Sequence, residues 1–137
     1  MTAQCLQLDM GNSSAKWRLK RDGEIVARGE FRHNAPETME ALLAQPVEPA
    51  YIWIASVSSE ATEDAVRRRL QQRWPRAKFW FARSEARSGD LVNSYSQPLR
   101  MGVDRWLAML GARERCQQRL AVVDAGSALT IDLVAAD

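Results

Sequence analysis

The strongest constraint on the fold is a pattern that occurs twice: an apolar run, an aspartate, a glycine-containing polar turn and a second strand-like run. One copy reads LQLDMGNSSAKWRL and the other AVVDAGSALTIDLV. Asp9 corresponds to Asp124 and Gly11 to Gly126, and the members of each pair are 115 positions apart. One such turn would be an ordinary hairpin turn, but two copies at matched positions favour an internal duplication.

The residue types in this pattern suit phosphate binding. A strand that ends in Asp-x-Gly places a carboxylate at its tip, and glycine lets backbone N–H groups approach phosphate oxygens closely. Two such tips facing each other would bracket a polyphosphate, whose charge a hydrated Mg²⁺ or another cation would neutralise. Lys16 would reach a terminal phosphate as a point charge, or it is simply an exposed residue of a hairpin strand.

The composition is that of an ordinary globular protein. Of the 137 residues, 46% are hydrophobic and 26% are charged, which is enough for a domain with its own core. No apolar run approaches the roughly 18 residues of a membrane span, and no signal peptide is visible, so we expect a cytoplasmic protein without a membrane partner. Cys5 and Cys116 predict reduced thiols and no zinc site.

Basic residues are concentrated between Arg67 and Arg87. This window holds eight basic residues and one acid, Glu85, so its net charge is +7 although the whole chain carries only +2. Such a window would suit nucleic acid or an acidic partner. It lacks exposed aromatic spacing and a DNA-binding motif, so nucleic acid is disfavoured and the solvated face of an arginine-rich helix is the preferred interpretation.

Hydrophobic periodicity predicts an α/β chain. Strands are expected at Cys5–Asp9, Ala15–Lys20, Glu24–Phe31, Tyr51–Val57, Lys78–Ala82, Leu120–Asp124 and Leu129–Val134. Helices are expected at Pro36–Ala44, Ser59–Trp74 and Gly102–Gln118. The first three strands should form an antiparallel meander, because Asp22-Gly23 is a strong two-residue hairpin signal, and the fourth, a buried type of strand, should extend it in parallel. The last helix has Val103, Trp106/Leu107 and Leu110 on one face.

Asp104 lies in the first turn of the last predicted helix, after a loop that contains a proline. A carboxylate at that position is favoured by the helix dipole, so capping alone would explain it. With Arg105 it would also supply a proton acceptor and a charged clamp, which suit phosphoryl transfer to a hydroxyl. Both interpretations stay open at this point.

Three segments resemble the motifs of one family, the type III pantothenate kinases. DMGNSSAK resembles its first phosphate motif, PLRMGVDRW its substrate segment and DAGSALTID its second phosphate motif, in the expected order. Ser13 and Ser127 stand where many members carry threonine, and Met101 where leucine is common. The resemblance implies a ribonuclease-H-like (actin/hexokinase-like ATPase) fold, with a mixed sheet and flanking helices.

The resemblance also implies a reaction: ATP-dependent phosphorylation of pantothenate, the first step of coenzyme A biosynthesis, with Mg-ATP and a monovalent cation, potassium or ammonium. Its ATP-binding residues would be Asp9, Met10, Gly11, Asn12, Ser13, Ser14, Ala15, Lys16 and Ser127. Its pantothenate-binding residues would be Tyr95, Gly102, Val103, Asp104 and Arg105. Asp104 would be the catalytic base, Asp9 would hold Mg²⁺ through water, and Asp124 would hold the monovalent cation.

Two domains and a homodimer are further implications of the resemblance. Residues 1–100 would form the first ribonuclease-H-like domain, and residues 101–137 the connecting helix and first hairpin of a second, incomplete one. Asp9 and Asp124 would line one cleft. The helix Gly102–Gln118, with Trp106, would be the subunit contact, unless it is an ordinary core helix. Because the second domain is incomplete, the alternative is a catalytically incomplete nucleotide-binding or transcription-accessory protein.

Overall fold

The chain forms two compact units in a computed structural model that describes residues 3–126 and 128–136. The units are Met1–Ala82 and Arg83–Asp137. The division comes earlier than the predicted boundary at residue 100, because residues 83–100 pack with the segment that follows them. Ser84 Oγ donates to the Met101 carbonyl at 2.8 Å, and Leu91 shares a buried cluster with Trp106. The assignment of residues 1–100 and 101–137 to two ribonuclease-H-like domains stays a prediction.

The described part of the first unit contains five strands and two short helices. The strands are β1 (Gln4–Met10), β2 (Ser14–Arg21), β3 (Glu24–Arg32), β4 (Tyr51–Ser56) and β5 (Lys78–Phe81). The helices are α1 (Glu40–Leu43), which follows a 3₁₀ turn over Pro36–Met39, and α2 (Glu60–Arg73). These elements agree with the predicted ones to within a few residues.

The second unit is built around one helix and one long hairpin. The helix is α3 (Val103–Arg115), which follows a 3₁₀ turn over Pro98–Arg100. The strands are β6 (Arg87–Ser88), β7 (Leu91–Val92), β8 (Leu120–Ala125) and β9 (Leu129–Val134). The sequence pattern predicts only a loop at residues 87–92, because two-residue strands are too short to show a periodicity.

The sheet of the first unit confirms the predicted topology. Its strand order is β3-β2-β1-β4-β5, in which β1, β2 and β3 are antiparallel and β4 runs parallel to β1. The turn between β2 and β3 has positive φ at both central residues, 52° at Asp22 and 83° at Gly23. Positive φ at both positions is what a type I′ hairpin turn requires, so the Asp-Gly pair favours the tight connection between β2 and β3.

The core of the first unit lies on one face of this sheet. Leu6, Leu8 and Met10 of β1 are at most 3% exposed and pack with residues of both helices, including Leu42 and Leu70. Ser59 begins α2 by accepting a hydrogen bond from Thr62 N at 3.2 Å. Trp74 ends it, and its indole N–H donates to the Val47 carbonyl at 2.7 Å, which satisfies the buried donor.

Strand β4 is buried on one face only, so the prediction of a buried type of strand is wrong for Tyr51 and Trp53. Ile52 and Ile54 are at most 1% exposed, whereas Tyr51 and Trp53 are each 42% exposed. Both helices pack in the same cluster as Ile52 and Ile54 and therefore cover that face. Trp53 meets Trp80 of β5 edge to face, with ring centroids 5.9 Å apart, which shields part of the apolar surface.

Helix α3 turns the predicted apolar face toward its core, with Leu107 as the exception, and Leu110 packs against the same cluster as Trp106. Val103, Trp106 and Met109 are buried, while Leu107 is 36% exposed. Arg113 on the same side is buried as well, and its guanidinium donates to the carbonyls of Gln118, at 3.2 Å, and Ala135.

Across residues 3–126 and 128–136, no helix has the length and apolar character needed to cross a membrane.

The close contact between Gly29 and Trp17 gives a test of the sheet. The two residues are directly opposite on β3 and β2, and a Cβ on Gly29 would lie 2.7 Å from Trp17 Cζ2. We expect Gly29→Ala to lower the free energy of unfolding by about 1–3 kcal/mol, the usual cost of overpacking. Urea denaturation measures the change.

Gly111 on α3 provides the control for this substitution. A Cβ placed there meets no described atom within 4 Å. Gly111→Ala should therefore raise the free energy of unfolding by about 0.5–1 kcal/mol, since alanine is the better helix former. Equal effects of the two substitutions would contradict the packing described for Trp17.

Candidate functional site

The first Asp-x-Gly motif lies at the end of β1, where two of the predicted site residues meet. Asp9 of β1 is directly opposite Lys16 of β2, and both side chains are exposed. Directly opposed residues of an antiparallel pair project from the same face of the sheet. The structure therefore brings a carboxylate and an ammonium together on the face opposite the buried Leu8 and Met10.

The turn between Asp9 and Lys16 is held in one shape by its own backbone. Gly11 N–H donates to the Ser14 carbonyl at 2.8 Å, and a Cβ on Gly11 would lie 3.3 Å from that oxygen. The side chains of Asn12 and Ser13 are exposed. The arrangement offers small polar groups and backbone amides beside the Asp9 carboxylate, which is the composition expected of a phosphate-binding turn.

Two residues of the predicted phosphate motif have their side chains in the core. Met10 and Ala15 are both 0% exposed. Only the backbone groups of these two residues are therefore placed to contact a ligand, while their side chains fix the strand ends against the core. Ser127, the predicted ATP contact of the second motif, lies outside the described residues.

The second motif forms a hairpin with a register one residue shorter than the first. Met10 pairs with Ala15 across the first turn, whereas Ala125 pairs with Leu129 across the second. As a result, the exposed Asp124 is opposite Thr130. The second copy has Ile131 at the position that corresponds to Lys16, so it also lacks the lysine of the first copy. The described end of this strand therefore pairs a carboxylate with a hydroxyl residue.

Arg105 is the centre of a polar network within the second unit. Its Nε donates to Asp132 Oδ2 at 3.0 Å and its Nη2 donates to Asp132 Oδ1, so the carboxylate is held by two parallel hydrogen bonds. Its Nη1 donates to Tyr95 Oη at 3.0 Å, and its Cζ lies 5.7 Å from the Tyr95 ring centroid. The structure therefore joins two of the predicted pantothenate residues, Tyr95 and Arg105.

This network fixes the charge and orientation of the Arg105 guanidinium. The hydrogen bonds that Arg105 donates to Asp132 and, next in effect, to Tyr95 raise the pKa of Arg105 above its ordinary value, so the group stays protonated. The Asp132 side chain is only 11% exposed, and a two-pronged bond to a planar guanidinium allows little rotation. Sequence reasoning missed the role of Asp132, although it is the last residue of the second motif, DAGSALTID.

Asp104 lies in the first turn of the helix that carries Arg105. Its Oδ1 accepts the backbone N–H of Arg105 at 2.9 Å, so it serves one of the donors that a helix start leaves free. Gly102 is the N-terminal cap residue of α3 and has no side chain to do this. Val103 is buried at 7% exposure, so a substrate contact from this residue would come from its backbone.

In the part of the chain that the structure describes, no group of three or more His, Cys, Asp or Glu side chains is placed to hold a metal ion. Magnesium bound to nucleotides needs only one or two protein carboxylates, because phosphates and water supply the other oxygens. A single exposed carboxylate such as Asp9 fits that use.

Two arginines of the basic window, Arg69 and Arg73, contribute to packing within the first unit. Arg69 donates to the Pro36 carbonyl at 2.7 Å and pairs with Glu40 at 2.8 Å. Arg73 donates to the Leu43 carbonyl at 2.8 Å. These bonds join α2 to the segment around α1. They give part of the window a structural role, in keeping with the preferred interpretation as the face of a helix.

Comparison with known proteins identifies the family. The structure is that of an α/β protein with a mixed sheet, in which an aspartate lies at the end of the first strand. The sequence profile of type III pantothenate kinase matches residues 5–137, nearly the whole chain. The chain therefore belongs to the type III pantothenate kinase family, as the three motifs predicted. Membership implies the actin/hexokinase-like ATPase fold, with which the mixed sheet and its helices agree.

Curated relatives support the same family and show how much of them this chain covers. The type III pantothenate kinase of Hahella chejuensis is 36% identical over 129 residues, which are 94% of this chain and 52% of that protein. The type III pantothenate kinase of Thiobacillus denitrificans is 38% identical over 130 residues, 95% of this chain and 51% of that protein. The chain thus spans about half the length of these relatives.

The Arg105 network predicts an unequal role for the two aspartates of the second hairpin. Asp132→Ala should lower the free energy of unfolding by about 1–3 kcal/mol, because it leaves the partly buried Arg105 without its partner. Asp132→Asn keeps an acceptor and should cost less. Asp124→Ala removes an exposed carboxylate of the same hairpin and should change stability by less than about 0.5 kcal/mol. Thermal unfolding compares them, and equal losses for Asp132→Ala and Asp124→Ala would contradict the network.

Proposed function

We propose that this chain carries the phosphate-binding turn and the catalytic base of an ATP-dependent pantothenate kinase. The reaction transfers the γ-phosphoryl group of ATP to the primary hydroxyl of pantothenate, the first step of coenzyme A biosynthesis. The match to the family over residues 5–137 carries the proposal. Within the chain, the proposal is supported by the position of Asp9, which lies opposite Lys16 in the strand register at an exposed strand end.

The phosphates of ATP are assigned to the turn between β1 and β2. Lys16 contributes a positive charge, Asn12, Ser13 and Ser14 contribute polar side chains, and Gly11 keeps the backbone bare. Asp9 is assigned to Mg²⁺ through a water molecule, in keeping with its exposure and with the small number of carboxylates that nucleotide-bound magnesium requires. When bound, the ion neutralises charge on the transferred phosphoryl group.

Pantothenate is assigned to the start of α3 and to Tyr95. Arg105 is already paired with Asp132, which neutralises much of its charge. Its contribution to substrate binding is therefore a set of well-oriented hydrogen-bond donors more than a net charge. A donor held in this way loses little conformational entropy when it binds, which favours precise placement of the substrate. Gly102 and Val103 contribute backbone groups to the same end of the helix.

Asp104 is assigned the role of general base. One of its oxygens accepts the Arg105 N–H, and the other can accept the proton of the substrate hydroxyl as that hydroxyl attacks the γ-phosphorus. The existing bond from Arg105 N–H would orient the carboxylate, so helix capping and catalysis are compatible roles for the same side chain. Phosphoryl transfer depends mainly on such positioning and on charge neutralisation.

The remaining parts of the proposal concern the whole protein. A second ribonuclease-H-like domain begins in the segment 101–137, with Asp124 and Ser127 supplying contacts for a monovalent cation, potassium or ammonium, and for ATP. The exposed position of Asp124 opposite the Thr130 hydroxyl supports a cation ligand. A cytoplasmic homodimer is proposed as well. Trp106 is 1% exposed, so a subunit contact on α3 would involve its exposed side, where Leu107 lies.

The base assignment predicts a specific kinetic change. In the protein expressed at its natural length, Asp104→Asn keeps the size and shape of the side chain but removes its basicity. Turnover should fall about 10²–10⁴-fold, the range typical of lost general-base catalysis, while ATP binding should be retained. Steady-state kinetics at saturating Mg²⁺ and potassium, together with calorimetric ATP binding, measure both quantities.

Asp9→Asn is the contrasting variant for that experiment. Loss of the Asp9 charge should weaken nucleotide handling and raise the KM for Mg-ATP, since this carboxylate is assigned to the metal and not to the proton. Near-normal turnover in Asp104→Asn would end the base assignment. Asparagine is also a good residue at a helix start, so a pure capping role predicts little change in turnover.

The proposed homodimer has its own test. Sedimentation velocity of the natural-length protein should show a dimer at micromolar concentration, since most soluble oligomers are closed homo-oligomers of this kind. Leu107→Glu places a charge on the exposed side of α3 and should shift the distribution toward monomer. A protein that sediments as a strict monomer would contradict the dimer.

A further inference from the structure

Two side chains that lie outside both Asp-x-Gly motifs form hydrogen bonds to the turn between β1 and β2. The Gly11 carbonyl accepts a hydrogen bond from His33 Nε2 at 2.8 Å and another from Ser58 Oγ at 2.5 Å. His33 follows β3 and Ser58 follows β4. The two side chains therefore reach the turn from the strand ends that lie on either side of the β1–β2 hairpin.

Backbone contacts of the same two segments support this arrangement. His33 N–H donates to the Ser13 carbonyl at 3.0 Å, and Val57 N–H donates to the Met10 carbonyl at 2.9 Å. His33 thus contacts the turn twice, with its ring at Gly11 and with its backbone at Ser13. The turn is fixed at three carbonyl positions, 10, 11 and 13, by partners outside it.

The contact with Gly11 defines which nitrogen of His33 carries the proton. A carbonyl oxygen can only accept, so Nε2 must be the donor of this bond. The ring is also oriented by Phe31, which it meets edge to face at 6.0 Å between centroids. With Ser58 Oγ as the second donor, both lone pairs of the Gly11 carbonyl are used, and rotation of this peptide would break two bonds at once.

Fixing the Gly11 carbonyl also fixes the next amide. The peptide between Gly11 and Asn12 is planar and trans, so the Asn12 N–H points in the direction opposite to the Gly11 C=O. Because the carbonyl points at His33 and Ser58, the Asn12 N–H is turned away from them. A phosphate oxygen on the outer side of the turn would accept a hydrogen bond from this amide only in that orientation.

We propose that His33 and Ser58 are positioning residues that orient the Asn12 amide toward the terminal phosphates of a nucleoside triphosphate. The inference rests on the proposed function, because it assumes that the turn binds phosphate. Neither residue would touch the nucleotide. Both act through the Gly11 carbonyl, so removal of either should loosen the peptide and weaken the contact to phosphate, without changing contacts to the rest of the nucleotide.

A purely structural role would give a different result. Side chains that only join β3 and β4 to the hairpin would change the free energy of unfolding and leave ligand affinity unaltered. Thr38 provides the matched control, because its hydroxyl accepts from Arg32 N–H at 2.8 Å and donates to the Ala35 carbonyl at 2.6 Å. Thr38→Ala therefore removes two side-chain hydrogen bonds close to His33, but none that ends on the turn.

The experiment compares His33→Ala, Ser58→Ala and Thr38→Ala in the natural-length protein. Calorimetry gives the Kd for Mg-ATP and for adenosine, which lacks the phosphates. We expect the Kd for Mg-ATP to rise about 3–10-fold in the His33 and Ser58 variants, the equivalent of one lost hydrogen bond. The Kd for adenosine should be unchanged in all three, and Thr38→Ala should leave both constants unchanged.

Conservative variants separate loss of the bond from loss of the side chain. The side-chain amide of His33→Gln can place an N–H near the position of Nε2, and Ser58→Thr keeps the hydroxyl. Both should recover much of the affinity for Mg-ATP. A residual dipolar coupling of the Asn12 amide, measured by NMR without nucleotide, should change in the two alanine variants and return toward the wild-type value in the conservative ones.

The two readouts distinguish failure of the inference from failure of the proposed function. An unchanged Asn12 coupling in the His33→Ala, Ser58→Ala double variant would overturn the inference, whatever the protein binds. An unchanged Kd for Mg-ATP in both single variants, with a wild type that does bind, would also overturn it. A wild type that binds no Mg-ATP would overturn the proposed function, and the phosphate role of the turn would fall with it.

Discussion

The pairing of β1 with a strand on each side is the constraint on which the first unit depends. β1 is antiparallel to β2 and parallel to β4, and its alternation places Leu6, Leu8 and Met10 in the core. The same alternation turns Asp9 to the other face. A slip of one residue would exchange the two faces and bury the carboxylate, so burial of three apolar side chains fixes the position of one charge.

The two copies of the repeated pattern have acquired different neighbours. In the first copy, Asp9 is opposite Lys16, and both lie on an exposed face. In the second copy, the shorter register places Thr130 opposite Asp124, and the last aspartate of the motif, Asp132, binds Arg105 of α3. The first copy thus places Asp9 and Lys16 on the same exposed face. The second copy joins its hairpin to α3 through Asp132 and Arg105.

Local signals account for most of the elements and for little of their surroundings. The Asp22-Gly23 turn and the alternation of β1 and β2 predicted the meander, because turn chemistry and period-2 burial are properties of neighbouring residues. The exposure of Trp53 and the exposure of Leu107 were not predicted correctly. Both depend on which face the rest of the structure covers, and an apolar run does not contain that information.

The sequence by itself determined the family, the strand order of the meander and the candidate residues Asp9, Lys16 and Asp104, because these follow from motifs and short-range periodicity. The tertiary structure alone decided which side chains support them. His33 and Ser58 meet Gly11 across separations of 22 and 47 residues, and Arg105 meets Asp132 across 27. Such contacts depend on the pairing and packing of whole strands and helices, so they cannot be predicted from a local pattern of residues.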